Sequence, residues 1–300
     1  MLSCVFRHSN IPGMSCRRFL YCVVILVVCV YAKSQTTPNT KSQTFLISGF
    51  DGHDHPVSLE KGDIEVSLDR TPADVVELND ASGVPLDFVV AVDLSNSATT
   101  RAELIKQLTI DSFQVLSTGQ NRGLLLLFNI KPQVSNRPLQ LDEVKQTMQK
   151  VDFGGGTAFY DAVKLGTEAA SRLPAYVNHR HAMIVISDGE DNQSTVNVDT
   201  AVDFAIAARV PVYGIYVSEK MNSPRGHDKL EKISKQTGGH LFDSLKPLDA
   251  VAKLADMVSR QYVLTVTPRA PINSDRHELH VKSAAKHVQI AAPNYCCSTE

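Results

Sequence analysis

The sequence predicts an α/β fold: a doubly wound, mostly parallel central sheet flanked by helices, with small β-rich N- and C-terminal flanks. Three observations carry this expectation. Near-continuous apolar runs fill the body of the chain, DFVVAVDLS (87–95), GLLLLFNI (123–130), HAMIVIS (181–187), VPVYGIYV (210–217) and QYVLTVT (261–267), and strands buried on both faces read that way. Helix-length segments separate them, and strands alternating with helices form a parallel sheet with its ligand site at the carboxyl ends of the strands. Short alternating runs bounded by turn residues stand before residue 84 and after residue 267, the mark of half-buried strands.

Composition narrows the function before any motif is read. The 300 residues are 43% apolar and 21% charged, enough for one sizeable core and a small second domain. A formal charge of −2 supplies no basic field for nucleic acid or anionic lipid. The chain has no Trp, 8 Tyr and 11 Phe, which argues against an aromatic platform for stacking bases.

Taken in order, residues 1–32 carry Arg7, Arg17 and Arg18 without an acid, followed by the apolar run from Phe19 to Ala32. That is a secretory signal layout with cleavage expected after Ala32, and the run is short of the roughly 20 residues that span a bilayer. A secreted or periplasmic protein with no integral span after cleavage is expected; an uncleaved signal anchor is the alternative, and Met14 is an alternative start to Met1. Cleavage would remove Cys4, Cys16, Cys22 and Cys29 and leave Cys296 and Cys297, so the mature chain is not a disulfide scaffold. The adjacent pair would join another chain, form a labile redox end, or lie in a frayed terminus.

Residues 33–44 are polar and read as a flexible linker. An N-terminal β-rich segment (45–83) follows, with the runs FLISGF, DIEVSLD and ADVVEL separated by DGHDHP and DRTP. In the α/β body (84–267), Leu104, Ile105, Leu108, Ser112 and Val115 keep helical spacing, as do Leu248, Val251, Ala252, Ala255 and Val258, and Asp199-Thr200 opens another helix. The C-terminal extension (268–300) returns to alternating runs, HELHVKS and AKHVQIAAP, which are expected to pair with the front flank as one accessory module.

The chemistry concentrates at three loops. Asp93, Ser95 and Ser97 leave the first buried run at alternate positions; a Gly-rich loop ends in Thr157 before a helix; and Ser187-Asp188-Gly189-Glu190-Asp191 follows the run HAMIVIS. All the candidate ligands are oxygen donors, which suits a hard cation, Mg²⁺ or Mn²⁺. With this combination, residues 84–267 resemble a von Willebrand factor type A (VWA) domain, whose fold is Rossmann-like, and Asp93, Ser95, Ser97, Thr157 and Asp188 match the five positions of its metal-ion-dependent adhesion site (MIDAS). The resemblance implies a sheet wrapped by helices and a Mg²⁺ whose last coordination place is filled by an Asp or Glu carboxylate of a protein partner. The flanking stretches, HPVSLEKGDIEVSLDRTPADVVEL, TGGHLFDS and HVQIAAPNY among them, resemble the VWFA-related family of acidobacterial type. That family tends to have Gly where Arg70 and Asn294 stand here, and Arg tolerates a left-handed turn poorly.

The expected function is therefore an exported binding module in protein–protein interaction or cell adhesion, not an enzyme. An envelope scaffold whose metal site is only structural is the alternative, and an Mg²⁺-dependent hydrolase a further one. The sequence has no G-x-S-x-G, H-E-x-x-H, C-x-x-C or Walker loop. Asp93, Ser95 and Ser97 could instead cap or turn the local backbone, and Thr157 could be a helix N-cap. Asp161 is expected to brace the Thr157 loop, and Glu190 and Asp191 to be solvated loop acids or rim contacts. His53-Asp54-His55 and His179-Arg180-His181 read as hydrated loops, and Lys61-Gly62-Asp63 as a chance tripeptide before a strand. Asn192-Gln193-Ser194 is a glycosylation sequon that a bacterial source would leave idle.

Overall fold

The computed structural model describes residues 41–173, 179–218, 224–243, 247–270 and 276–297; the expected signal segment and most of the expected linker lie outside them. The chain makes β1 (Gln43–Phe50), β2 (Ile64–Leu68) and β3 (Thr71–Asp80), then β4 (Leu86–Asp93), α1 (Ala102–Leu116), β5 (Arg122–Phe128), β6 (Gln133–Val134), α2 (Leu141–Lys150) and α3 (Phe159–Arg172). It continues through β7 (Arg180–Ser187), α4 (Val198–Ala207), β8 (Val212–Tyr216), α5 (Pro224–Gln236), β9 (Leu241–Phe242) and α6 (Pro247–Ser259), and closes with β10 (Tyr262–Pro268), β11 (Arg276–Ser283), β12 (Gln289–Ala291) and β13 (Tyr295–Cys297).

One sheet has six strands in the order β6-β5-β4-β7-β8-β9, parallel except for the β5–β6 pair. Every residue of β4 is buried, because helices cover both faces. On one side α1, α2 and α6 contribute Ile105, Leu108, Val144, Met148 and Leu254 to a core. On the other, α3, α4 and α5 contribute Val163, Val202 and Leu230. After β4 the chain adds β5 on one side and β7 on the other, so strand order reverses there, and the crevice at the carboxyl ends of β4 and β7 is the switch point where such folds place ligands.

The second sheet is antiparallel and has seven strands in the order β12-β1-β10-β3-β2-β11-β13. Strands of both flanks share it: β2 pairs with β11, and β1 with β12. It is larger than an accessory of the two flanks alone, because QYVLTVT does not join the parallel sheet as its apolar run suggests. As β10 it lies between β1 and β3. Its burial alternates, with Leu264 and Val266 in this sheet's core, and Tyr262 and Val263 on partly covered positions made the run read as continuous. The β2–β3 hairpin turns through Asp69 and Arg70, at φ 46° and 66°, so Arg70 takes the left-handed turn that Gly would take without strain.

Three further local expectations change. Cys296 is buried, paired across from His277 within β13, and so is not in a frayed end. His179, Arg180 and His181 belong to the entry into β7, not to a hydrated loop: Arg180 donates to the Val84 and Val258 carbonyls and to Gln261 Oε1. His179 and Arg122 both reach the fully buried Asp87. Helices α2 and α5 escape the periodicity reading because each buries little, Val144 and Met148 in one and Leu230 and Ile233 in the other, along otherwise polar segments.

Candidate metal centre

Asp93 ends β4 fully buried, with both carboxylate oxygens engaged. Oδ1 accepts the Ser95 amide at 2.9 Å, an Asx-type turn that swings the chain out of the strand. Oδ2 accepts the Ser187 hydroxyl at 2.6 Å, and Ser187 Oγ in turn accepts the Gly189 amide at 2.9 Å. Ser95 is buried and its hydroxyl lies 3.1 Å from that of the exposed Ser97. The short 3-10 turn that follows takes no side-chain cap from Ser95, whose hydroxyl is bonded to the Asp93 carboxylate instead. The turn-or-cap alternative thus holds for one oxygen of Asp93 and not for Ser95.

The Gly-rich loop is stitched to the first loop through its backbone: the Gly154 amide donates to the Leu94 carbonyl at 2.7 Å and the Asn96 amide to the Gly155 carbonyl at 3.0 Å. Thr157, at its end, is buried. It does not cap α3. That task falls to Asp191, whose Oδ1 accepts the Phe159 amide at 2.8 Å and the Tyr160 amide at 3.3 Å and is also bonded by the Ser194 hydroxyl; a carboxylate there is favoured by the helix dipole. Asp191 is therefore a helix cap rather than a rim acid. Asp161 braces the same region from the helix side, accepting the Thr195 and Val196 amides at 2.9 and 3.1 Å.

Asp188 follows Ser187 at the end of β7, nearly buried, with Oδ1 accepting the Glu190 amide at 3.0 Å. The sharp exit needs Gly189: its φ is +72°, and a Cβ there would stand 2.0 Å from the Gly226 carbonyl oxygen. Burial, against the counter-effect of the Ser187 and Ser95 bonds, and with the negative charge of Asp188 adding to it, pushes the Asp93 carboxyl up to about 6. A buried carboxylate that feels the charge of a second buried one, with the Ser187 and Ser95 hydroxyls bonded to the first, is chemistry that a hard divalent cation suits. Asp93, Ser95, Ser97, Thr157 and Asp188 would supply the oxygens.

A family profile for the von Willebrand factor type A domain matches residues 87–255. The chain belongs to this family. No curated protein matches it in sequence. Among solved structures, an aerotolerance-related membrane protein from Bacteroides fragilis is 15% identical over 59% of this chain and 98% of its own, with a TM-score of 0.47. The conserved hypothetical protein BatB from Bacteroides thetaiotaomicron is 16% identical over 59% and 99%, with a TM-score of 0.43. A von Willebrand factor type A protein from Catenulispora acidiphila is 12% identical and covers 87% of this chain and 74% of its own, with a TM-score of 0.49.

Within this type A domain two residues escaped the sequence reading. Ser187 reads as the opening residue of the oxygen-rich loop after HAMIVIS, but not as the hydroxyl that joins Asp93 to Gly189. Asn192 reads as part of a sequon, yet its side chain accepts the Thr157 amide at 2.9 Å. Among the described residues, ligand atoms of His227, Asp228 and Glu231 on α5 also come within 4.8 Å of one another. His227 is paired with Asp243 at 3.0 Å and Glu231 with Lys235 at 2.7 Å, which makes them a surface ion-pair set. No helix among the described residues is long and apolar enough to cross a membrane.

Proposed function

We propose that this type A domain is an exported, non-catalytic binding module that holds Mg²⁺ or Mn²⁺ through Asp93, Ser95, Ser97, Thr157 and Asp188 and uses it to engage an Asp or Glu side chain of a protein partner. The observation that carries the reading is the meeting of three loops at the switch point, where Asp93 and Asp188 are buried and Ser97 is exposed. Two carboxylates and three neutral hydroxyls would fill five places of an octahedral shell and leave the sixth open, which a carboxylate arriving from outside can fill. The residues have separate tasks. Asp93 and Asp188 neutralise charge, Ser95 and Thr157 set the buried side of the shell, and Ser97 stands at the mouth.

The test is direct. Wild-type protein and Ser95→Ala are titrated with Mn²⁺ by calorimetry, and partner capture from envelope extract is repeated in Mg²⁺ and in EDTA. Metal-dependent capture by wild type alone is expected; capture indifferent to EDTA would refute the metal-bridged mechanism. The seven-stranded antiparallel sheet favours a second reading, an envelope scaffold that assembles through that sheet. In that case Ser95→Ala lowers stability and leaves assembly intact.

A further inference from the structure

We infer that Asn192 is a positioning residue for the proposed cation site, acting through Thr157; this rests on the reading of Thr157 as a ligand. Both backbone polar groups of Thr157 are bound by the segment that continues from Asp188. Its amide donates to Asn192 Oδ1 at 2.9 Å, and its carbonyl accepts the Asn192 and Gln193 amides at 2.9 and 3.0 Å. The two main-chain bonds are open to any residue at 192. The carboxamide bond is particular to this side chain.

Gly156 makes room for the clasp. A Cβ at 156 would lie 2.5 Å from Gln193 Cγ and 2.7 Å from Asn192 Oδ1, so a side chain before Thr157 would press on the Asn192 and Gln193 side chains where they pack. The Gly-rich loop and the Asp188 loop are thereby joined, and the place of the Thr157 hydroxyl is set by a segment only four residues beyond Asp188 in the chain. A group that fixes a ligand without touching the ion changes metal affinity about 10–100-fold when it is removed. Asn192 is itself exposed, so replacing it opens no cavity in the core.

The experiment measures Mn²⁺ affinity by calorimetry for wild type, Asn192→Leu, Asn192→Asp, Thr157→Val and the double variant Asn192→Leu/Thr157→Val, with unfolding in EDTA recorded for each. Asn192→Leu, similar in size but without an acceptor, is expected to bind Mn²⁺ about 10-fold more weakly. Asn192→Asp keeps an oxygen for the Thr157 amide and is expected to stay within about 3-fold of wild type. In the Thr157→Val background Asn192→Leu should cost nothing further, since coupled residues are non-additive. Unchanged affinity in Asn192→Leu, or an equal loss in both backgrounds, overturns the inference while the metal site stands. If Thr157→Val binds too weakly to measure, the contrast between the Leu and Asp variants decides alone. Wild type that binds no Mn²⁺ overturns the inference and the proposed function together.

Discussion

Replacing Asp93 with Asn should stabilise the metal-free protein at neutral pH, although Asp93 is the residue on which the proposed site most depends. In the folded chain the carboxyl is raised from 3.8 to about 6 by burial, with Asp188 contributing. A group whose folded pKa lies above its unfolded value adds stability below the unfolded value and loses it as pH rises through the folded one. Ionised Asp93 therefore costs the metal-free fold about 3 kcal/mol above pH 6, developing between about pH 4 and pH 6. Asn removes that penalty. It also requires the Ser187 hydroxyl to exchange its bond to Oδ2 for one from the amide, at about 1 kcal/mol.

The net expectation for Asp93→Asn is a gain of about 2 kcal/mol, or roughly 4–8 °C in Tm for a domain of this size. Denaturation in EDTA at pH 4, 5, 6 and 7.5 measures it. The difference between the two proteins is the proper readout, because His181 and His240, whose pKa values burial lowers, destabilise both on acidification. The gain should fall as pH drops and turn into a loss of less than about 1 kcal/mol at pH 4, where the exchanged Ser187 bond outweighs the small remaining penalty. Saturating Mn²⁺ should reverse the order at pH 7.5, since a ligand of the folded state stabilises by mass action only the protein that binds it. A variant no more stable than wild type in EDTA at pH 7.5, or a difference constant across the pH range, refutes the electrostatic argument.

Three further outcomes are expected. Arg122→Met removes a two-pronged partner at 2.6–2.7 Å from the fully buried Asp87 and should cost about 3 kcal/mol in urea unfolding, because a buried carboxylate is left with His179 alone. Arg70→Gly relieves a side chain held at φ 66°; the left-handed cost less the entropy of Gly leaves a gain of about 0.5–1 kcal/mol, readable as a shift in urea midpoint. Gly189→Ala sets a Cβ 2.0 Å from the Gly226 carbonyl and should lower stability by more than about 2 kcal/mol and abolish the Mn²⁺-dependent rise in Tm, because the Asp188 loop cannot keep its exit from β7.

Much of the architecture is written in local pattern. Runs such as DFVVAVD and HAMIVIS can be buried on both faces only inside a helix-covered parallel sheet, and the Asp and Ser residues that leave them face the crevice because a strand's exit is fixed by the strand. Hence the α/β core and the loops bearing Asp93, Thr157 and Asp188 were legible in one dimension. Other features depend on approach across long separations. The Ser187–Asp93 bond spans 94 residues and the Asn192–Thr157 bond 35, and no periodicity marks a hydroxyl or a carboxamide that is used once. The same holds for Asp191, an acid among loop acids until the N-terminus of α3 is folded against it. It holds also for β10, whose residues suit either sheet. Only the packed chain, by laying β10 between β1 and β3, decides which faces of that strand are covered, because hydrogen-bonding partners and burial are properties of neighbours in space and not of the residue that carries them.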